Sequence, residues 1–262
     1  GEDPVDAIRW VKSMGIPTMQ LGCPPEEYFS GEKKETLIRE LKASGVKITA
    51  VFCGYEGEDY SRVKETVGFT NPSLQEERVR KTYEISDLAK DLGVDKIAAH
   101  VGFIPENRED PIYKSMVESI RKIADYCKKN GQMFLFETGQ EKAEVLLRFI
   151  QDVGRDNLGV NFDPANMILY GSGDPIEAID VLKDYIVGVH CKDARTPKTG
   201  DLFGAQTRLG EGEVDVPRFI KKLKEIGYKG PLTIEREVKD KAQQTRDILD
   251  AKKLLEELRK DP

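Results

Sequence analysis

The chain has 262 residues, 39% hydrophobic and 34% charged, with a net charge of −6. That balance excludes a global positive field able to gather nucleic acid or an anionic membrane surface, and no stretch approaches the roughly 18 apolar residues of a membrane span. Only two histidines are present, which rules out a metal cage built on three or more imidazoles.

Short apolar runs alternate with amphipathic helices along the whole length. Asp3-Pro4 reads as an N-cap followed by proline at the first helical position, and Gly15 closes that helix. The run 17–22 (PTMQLG) follows, then a helix expected over 36–44 that ends at Gly45, then the run 46–53 (VKITAVFC). The long segment 54–73, carrying Tyr55, Tyr60 and Phe69, has the look of a lid. A helix over 74–92 leads to the run 94–103 (VDKIAAHVGF), and a helix over 112–130 to the run 132–139 (QMFLFETG). A helix over 141–153 precedes the runs 158–167 (LGVNFDPANM) and 186–194 (IVGVHCKDA). The glycine-bearing segment 195–214 is a second candidate lid, a helix is expected over 216–226, and 231–237 (PLTIERE) is the last run.

A glycine closes most of these helices and feeds the next run, the signature of a left-handed C-cap before a strand. Runs this apolar suit parallel strands buried on both faces. With no composition break and no GxGxxG turn, the expectation is one α/β domain over 1–262, a (β/α)8 TIM barrel. Seven strands are visible, so the first strand of that barrel is expected to lie before Gly1. The four cysteines, Cys23, Cys53, Cys127 and Cys191, form no CxxC pair. With no signal peptide in the sequence, they read as reduced thiols of a cytoplasmic protein.

In such barrels chemistry gathers where strands end. His100, Glu137, Asp163, His190 and Glu235 each close an apolar stretch, and the last four are 26, 27 and 45 residues apart. Those spacings place Glu137, Asp163, His190 and Glu235 as candidate ligands on successive strands. One acid after an apolar strand is most often a helix N-cap. Three buried carboxylates converging with one imidazole repel one another unless a divalent cation sits among them. The oxygen-rich set suits Mn²⁺, Mg²⁺ or Co²⁺ better than the Cys/His sites zinc prefers. His100 is either a satisfied barrel histidine or a substrate hydrogen-bond donor, and Cys191, alternating with His190, is expected to pack away from the site.

At these residues the chain resembles the xylose isomerase-like superfamily of sugar (phosphate) isomerases and epimerases. FLFETGQE, LGVNFDPANMILYGSGDP, VGVHCKDA, RLGEGEVDVPRF and GPLTIERE are similar to its successive strand-end motifs. The resemblance implies that Glu137, Asp163, His190 and Glu235 bind one divalent metal ion per chain, Mn²⁺ first, with Mg²⁺, Co²⁺ or Zn²⁺ as alternatives. It also implies an isomerase or epimerase acting through an enediolate, with Glu137 and Glu235 as the catalytic pair exchanging protons with opposite faces of one carbon. Ketose 3-epimerases of the family carry a histidine three residues after the metal-binding aspartate, whereas here that position is Asn166, which cannot shuttle protons. A lyase acting on 3-oxo-glycosides is therefore the alternative. An abasic-site endonuclease on the same barrel is remote, because it needs more histidines than the chain has. Lys192 and Asp193 match an HxKD version of the histidine motif, and with His100, Asn166 and Arg195 they are the candidate substrate contacts; Lys192 and Arg195 could equally be solvated loop cations. The expected partner is a small-molecule sugar or sugar derivative, with no nucleic acid and no membrane, and a homo-oligomer is allowed for.

Overall fold

The computed structural model describes residues 3–199, 201 and 203–260. The chain divides into two compact units, residues 1–136 with 151–158, and residues 137–150 with 159–262.

The first unit opens on α1 (Pro4–Ser13), where the Asp3 carboxylate accepts from the Val5 and Asp6 N–H groups at 2.9 and 3.2 Å, as the Asp-Pro pair predicts. Then come β1 (Thr18–Leu21), α2 (Gly31–Ser44), β2 (Lys47–Phe52), a single turn α3 (Val63–Thr66) and α4 (Gln75–Asp91). β3 (Lys96–Ala99), α5 (Pro111–Lys129) and β4 (Met133–Glu137) complete the series. β1, β2, β3 and β4 pair in that order, all parallel, with Met19 beside Ile48, Val51 beside Ile97 and Ala98 beside Leu135. α2 starts at Gly31 rather than Thr36, because its first turn is exposed and offers no apolar periodicity to read.

The segment 54–73 is tied down rather than loose. Glu58 accepts from the Tyr55 and Gly68 N–H groups at 3.2 and 2.9 Å, the buried Arg78 donates to the Gly68 carbonyl, and the Phe69 N–H reaches the Val101 carbonyl at 2.7 Å. Phe69 is fully buried. Gly68 has φ +57°, and a β-carbon there would fall 2.0 Å from the Val101 carbonyl carbon. Gly68→Ala therefore meets left-handed strain and a backbone clash together. It should cost about 2–4 kcal/mol, read as a lowered denaturant midpoint with an unchanged m-value; an unshifted midpoint would mean that the segment adjusts freely.

The second unit carries α6 (Ala143–Val153), β5 (Leu158–Phe162), α7 (Pro164–Tyr170), α8 (Pro175–Leu182) and β6 (Ile186–Cys191). It continues through β7 (Asp193–Arg195), β8 (Ala205–Thr207), α9 (Val216–Glu225), β9 (Leu232–Ile234) and α10 (Lys241–Lys260). β5, β6 and β9 pair parallel in that order, while β7 and β8 form a short antiparallel pair. Several of the apolar runs outlast their strands, those of β5 and β6 among them. β5 stops at Phe162 because Asp163 caps α7, and β6 stops at Cys191 before the chain turns into β7. Phe162 on β5 and Phe219 on α9 are fully buried and stacked with centroids 6.1 Å apart, each adding roughly 1.5–3 kcal/mol of burial. On α10, the buried Asp247 takes Arg236 Nε at 2.8 Å and Arg208 Nε at 3.2 Å, pinning the chain on either side of β9 to that helix. Among the described residues no helix is long and apolar enough to cross a membrane, and Cys23, Cys53, Cys127 and Cys191 are free thiols.

Candidate metal centre

Glu137 is the last residue of β4, Asp163 follows β5, His190 lies near the end of β6 and Glu235 follows β9. All four belong to the second unit. The parallel ladder levels three of their positions: Phe162 pairs with Val189, His190 with Thr233, and the Glu235 N–H reaches the Cys191 carbonyl at 3.2 Å. One ligand atom from each of the four lies within 4.8 Å of the others. The expected constellation is thus brought together.

His190 Nδ1 sits at its centre, 3.0 Å from Glu137 Oε1, 2.7 Å from Glu235 Oε2 and 3.4 Å from Asp163 Oδ2. An imidazole nitrogen carries at most one proton, so it cannot satisfy three carboxylate oxygens. Glu235 Oε2 is buried and, despite its closeness to the ring, lies out of line for a hydrogen bond. Converging lone pairs, a buried carboxylate oxygen with no aligned donor and an O₃N donor set fit a divalent cation of the Mn²⁺ or Mg²⁺ type.

Asp163 has two tasks. Its Oδ1 caps α7, accepting from the Ala165 and Asn166 N–H groups at 2.8 and 3.0 Å, which leaves Oδ2 for the cluster. The usual structural job of an acid after a strand and the proposed chemical one are shared between its two oxygens. Thr138, which the sequence reading passed over, fixes this turn: its hydroxyl donates to the Asp163 carbonyl at 2.9 Å and accepts the Asp163 N–H at 2.8 Å. Asn166, buried on the first turn of α7, donates from Nδ2 to Glu137 Oε1 at 3.2 Å and to the Thr138 carbonyl at 3.3 Å.

Lys192 is 5% exposed, so it is not a solvated loop lysine. Its ammonium meets Glu235 Oε1 at 3.2 Å, Glu237 Oε2 at 3.2 Å and Asn166 Oδ1 at 3.3 Å, with Asp163 Oδ2 at 3.8 Å. Glu237 carried no sequence signal beyond its place in TIERE.

These charges shape one another. Burial raises the Asp163 carboxyl above its ordinary range, against the pull of Lys192 and His190. Burial opposes the charged His190, yet the carboxylates of Glu137 and Glu235 hold its imidazolium well above the ordinary range. Glu235 is likewise opposed by burial, but His190 and Lys192 hold it well below the usual carboxylate range.

Asp193, Arg195 and His100 are the remaining expected contacts. Asp193 is buried and accepts four backbone N–H groups, from Ala194, Gly210, Gly212 and Val214, at 2.9–3.1 Å. The exposed Arg195 donates to the Glu211 carbonyl at 2.9 and 3.3 Å. Both residues frame the segment 195–214, of which Gly200 and Leu202 lie outside the described residues. His100 follows β3 in the first unit and stands edge-to-face against Tyr60, centroids 5.4 Å apart. Cys191 is buried and outside the ligand cluster, its thiol pushed up to about 12 by burial.

Glu141, just beyond β4, is buried, and burial raises its carboxyl to about 8. Folding therefore favours the protonated acid. Its contribution to stability is intact below the unfolded value near 4.5 and is lost as pH climbs towards 8. At about 1.4 kcal/mol per pH unit, Glu141→Gln should be up to about 4 kcal/mol more stable than the wild type at pH 8 and indistinguishable at pH 4. Melting curves across that range check it; parallel curves would refute it.

Comparison with known proteins agrees with this architecture. A crystal structure of a xylose isomerase domain protein from Planctomyces limnophilus superposes with a TM-score of 0.92 at 39% identity, covering 97% of this chain and 92% of that one. An uncharacterized protein of Methanocaldococcus jannaschii is 28% identical over 205 residues, 71% of this chain, which spans 66% of that relative's length. Inosose dehydratase of Geobacillus kaustophilus is 27% identical over 144 residues, 49% of this chain and 46% of the enzyme. A family model described as the xylose isomerase-like TIM barrel matches residues 8–258, and the chain belongs to that family.

Proposed function

We propose that the protein is a divalent-metal-dependent sugar isomerase or epimerase, removing the proton next to a carbonyl to give an enediolate. The observation that carries this reading is the cluster of buried Glu137, Asp163 and His190 with half-buried Glu235, three carboxylates meeting one imidazole nitrogen. These four residues would hold the ion, Mn²⁺ being the best match to the oxygen-rich set. When bound, it supplies Lewis-acid polarisation of adjacent carbonyl and hydroxyl oxygens.

The chain's own groups do the proton work. Glu235, whose carboxylate is paired with the Lys192 ammonium at 3.2 Å, is ionised and available as a base at neutral pH. Glu137, taking an N–H from Asn166, is the second carboxylate of the pair. A small sugar or sugar derivative is the substrate class, and the Lys192 ammonium, engaged by Glu235, Asn166 and Glu237, is not a free anion contact for it.

A second reading is a lyase or dehydratase on a 3-oxo-glycoside or a related cyclic ketone. Asn166 favours it: an amide at the position where ketose epimerases keep a histidine can orient a carboxylate but not relay a proton. The partial likeness to inosose dehydratase supports the same alternative. An abasic-site endonuclease is disfavoured by the histidine count of two.

Incubating Mn²⁺-loaded protein in D₂O with ketoses, inososes and 3-oxo-glycosides tests both. Deuterium at the carbon next to the carbonyl, with a new ketose or epimer, supports the first reading. An enone absorbance with loss of water or an aglycone supports the second. No exchange with any substrate of the panel would sink both.

A further inference from the structure

We infer that Lys192 is a positioning residue for both candidate catalytic carboxylates, and that it keeps Glu235 to a single metal-facing oxygen; this rests on the metal-centre reading above. An ammonium has three protons. Two of those of Lys192 go to Glu235 Oε1 and Asn166 Oδ1, at 3.2 and 3.3 Å, and the ammonium is also ion-paired with Glu237 Oε2 at 3.2 Å. The side chain is thus spent on the protein, not offered to a substrate anion.

Two consequences follow from which atoms it takes. On Glu235 it occupies Oε1, so only Oε2 faces His190 and the cluster. The N–H groups at the start of α7 do the same for Asp163, occupying Oδ1 and leaving Oδ2. On Asn166 it takes the carbonyl oxygen, which turns the amide nitrogen towards Glu137 Oε1. The Thr138 carbonyl accepts from the same nitrogen at 3.3 Å, so the ammonium and that carbonyl hold the amide in one orientation together. One buried ammonium therefore orients Glu235 directly and Glu137 through Asn166. It also offsets part of the charge of the three ligand carboxylates and of the largely exposed Glu237.

Cobalt(II) reports this without a substrate, because its visible d–d band weakens as ligands are added and coordination number rises. Purified wild type, Lys192→Met and Lys192→Arg would be loaded with Co²⁺, their spectra recorded and their affinities measured by calorimetry. In Lys192→Met the freed Glu235 oxygen should join the metal, so the band weakens while Co²⁺ binds as tightly as in wild type or up to tenfold tighter. Lys192→Arg, which keeps a cation and donors, should restore the wild-type spectrum. Glu237→Gln, altering only a largely exposed partner, should leave the band unchanged. If Lys192→Met does not fold, Lys192→Gln is read by the same criteria.

An unchanged band in Lys192→Met, or a loss of affinity with the band unchanged, would reduce Lys192 to a packing residue and overturn the inference alone. Wild type that takes up no Co²⁺ would overturn the metal-centre reading and this inference together.

Discussion

Asp163→Asn should fold as the wild type does and hold no metal. Asparagine is as good an N-cap as aspartate, so its side-chain oxygen can still accept from the Ala165 and Asn166 N–H groups that Asp163 Oδ1 now serves. The two Thr138 bonds run to backbone atoms of residue 163 and survive the change. What disappears is the negative charge of Oδ2 in the cluster. Even an outer partner of a metal ligand is worth 10–100-fold in affinity, so loss of a charged ligand should exceed that range and leave the purified variant empty by elemental analysis. A stability comparison gives a second readout. At a metal concentration a hundredfold above Kd, binding adds about 2.7 kcal/mol to the folded state; the wild type should gain it and Asp163→Asn should not. Equal metal content in both proteins would remove Asp163 from the ligand set.

The same residue shows how far the sequence could be read. Its place after LGVNF marked the end of a strand, and its chemistry marked a ligand. The apolar run, however, continued through Pro-Ala-Asn-Met, and that continuity hid α7, a helix whose residues Pro164 to Ile168 are buried. Strand ends were legible wherever an acid or histidine broke an apolar stretch, which is why Glu137, Asp163, His190 and Glu235 could be picked out and why the structure brings them together. α10 was not legible, since Asp247, Ile248, Ala251 and Leu255 are its buried residues and they make a thin stripe on a charged helix.

Lys192, Asp193 and Arg195 are expected from the sequence as candidate substrate contacts, and the sequence does not tell them apart. Burial decides between them. Lys192 turns inward to four oxygens, Asp193 collects backbone N–H groups, and Arg195 lies outside on the Glu211 carbonyl. Neighbours in sequence on a strand that changes direction after Cys191 cannot be sorted by alternation alone. Thr138 and Glu237 left no trace, because a hydroxyl or a carboxylate beside a motif is chemically common and only three-dimensional placement gives it a partner.

Glu137→Gln and Glu235→Gln, each assayed at saturating Mn²⁺, should lose epimerisation by about 10²–10⁴, the usual worth of a positioned general acid or base. Saturation matters because both residues are also proposed ligands, and weaker metal binding alone would otherwise mimic the loss. The informative readout is solvent exchange. If two carboxylates serve opposite faces of one carbon, each variant keeps one working base. It should still exchange deuterium into one epimer of the substrate while failing to convert it to the other, and the two variants should favour opposite epimers. A lyase behaves differently, since one base starts the elimination: one variant would lose exchange and elimination together, and the other would retain exchange but stall before the leaving group departs. The environments already differ in a way that fits either division of labour. Glu235 is paired with the Lys192 ammonium, and Glu137 is met by the Asn166 amide. Less than a tenfold fall in both variants, with metal bound, would take the proton transfer away from these carboxylates and leave them as ligands only.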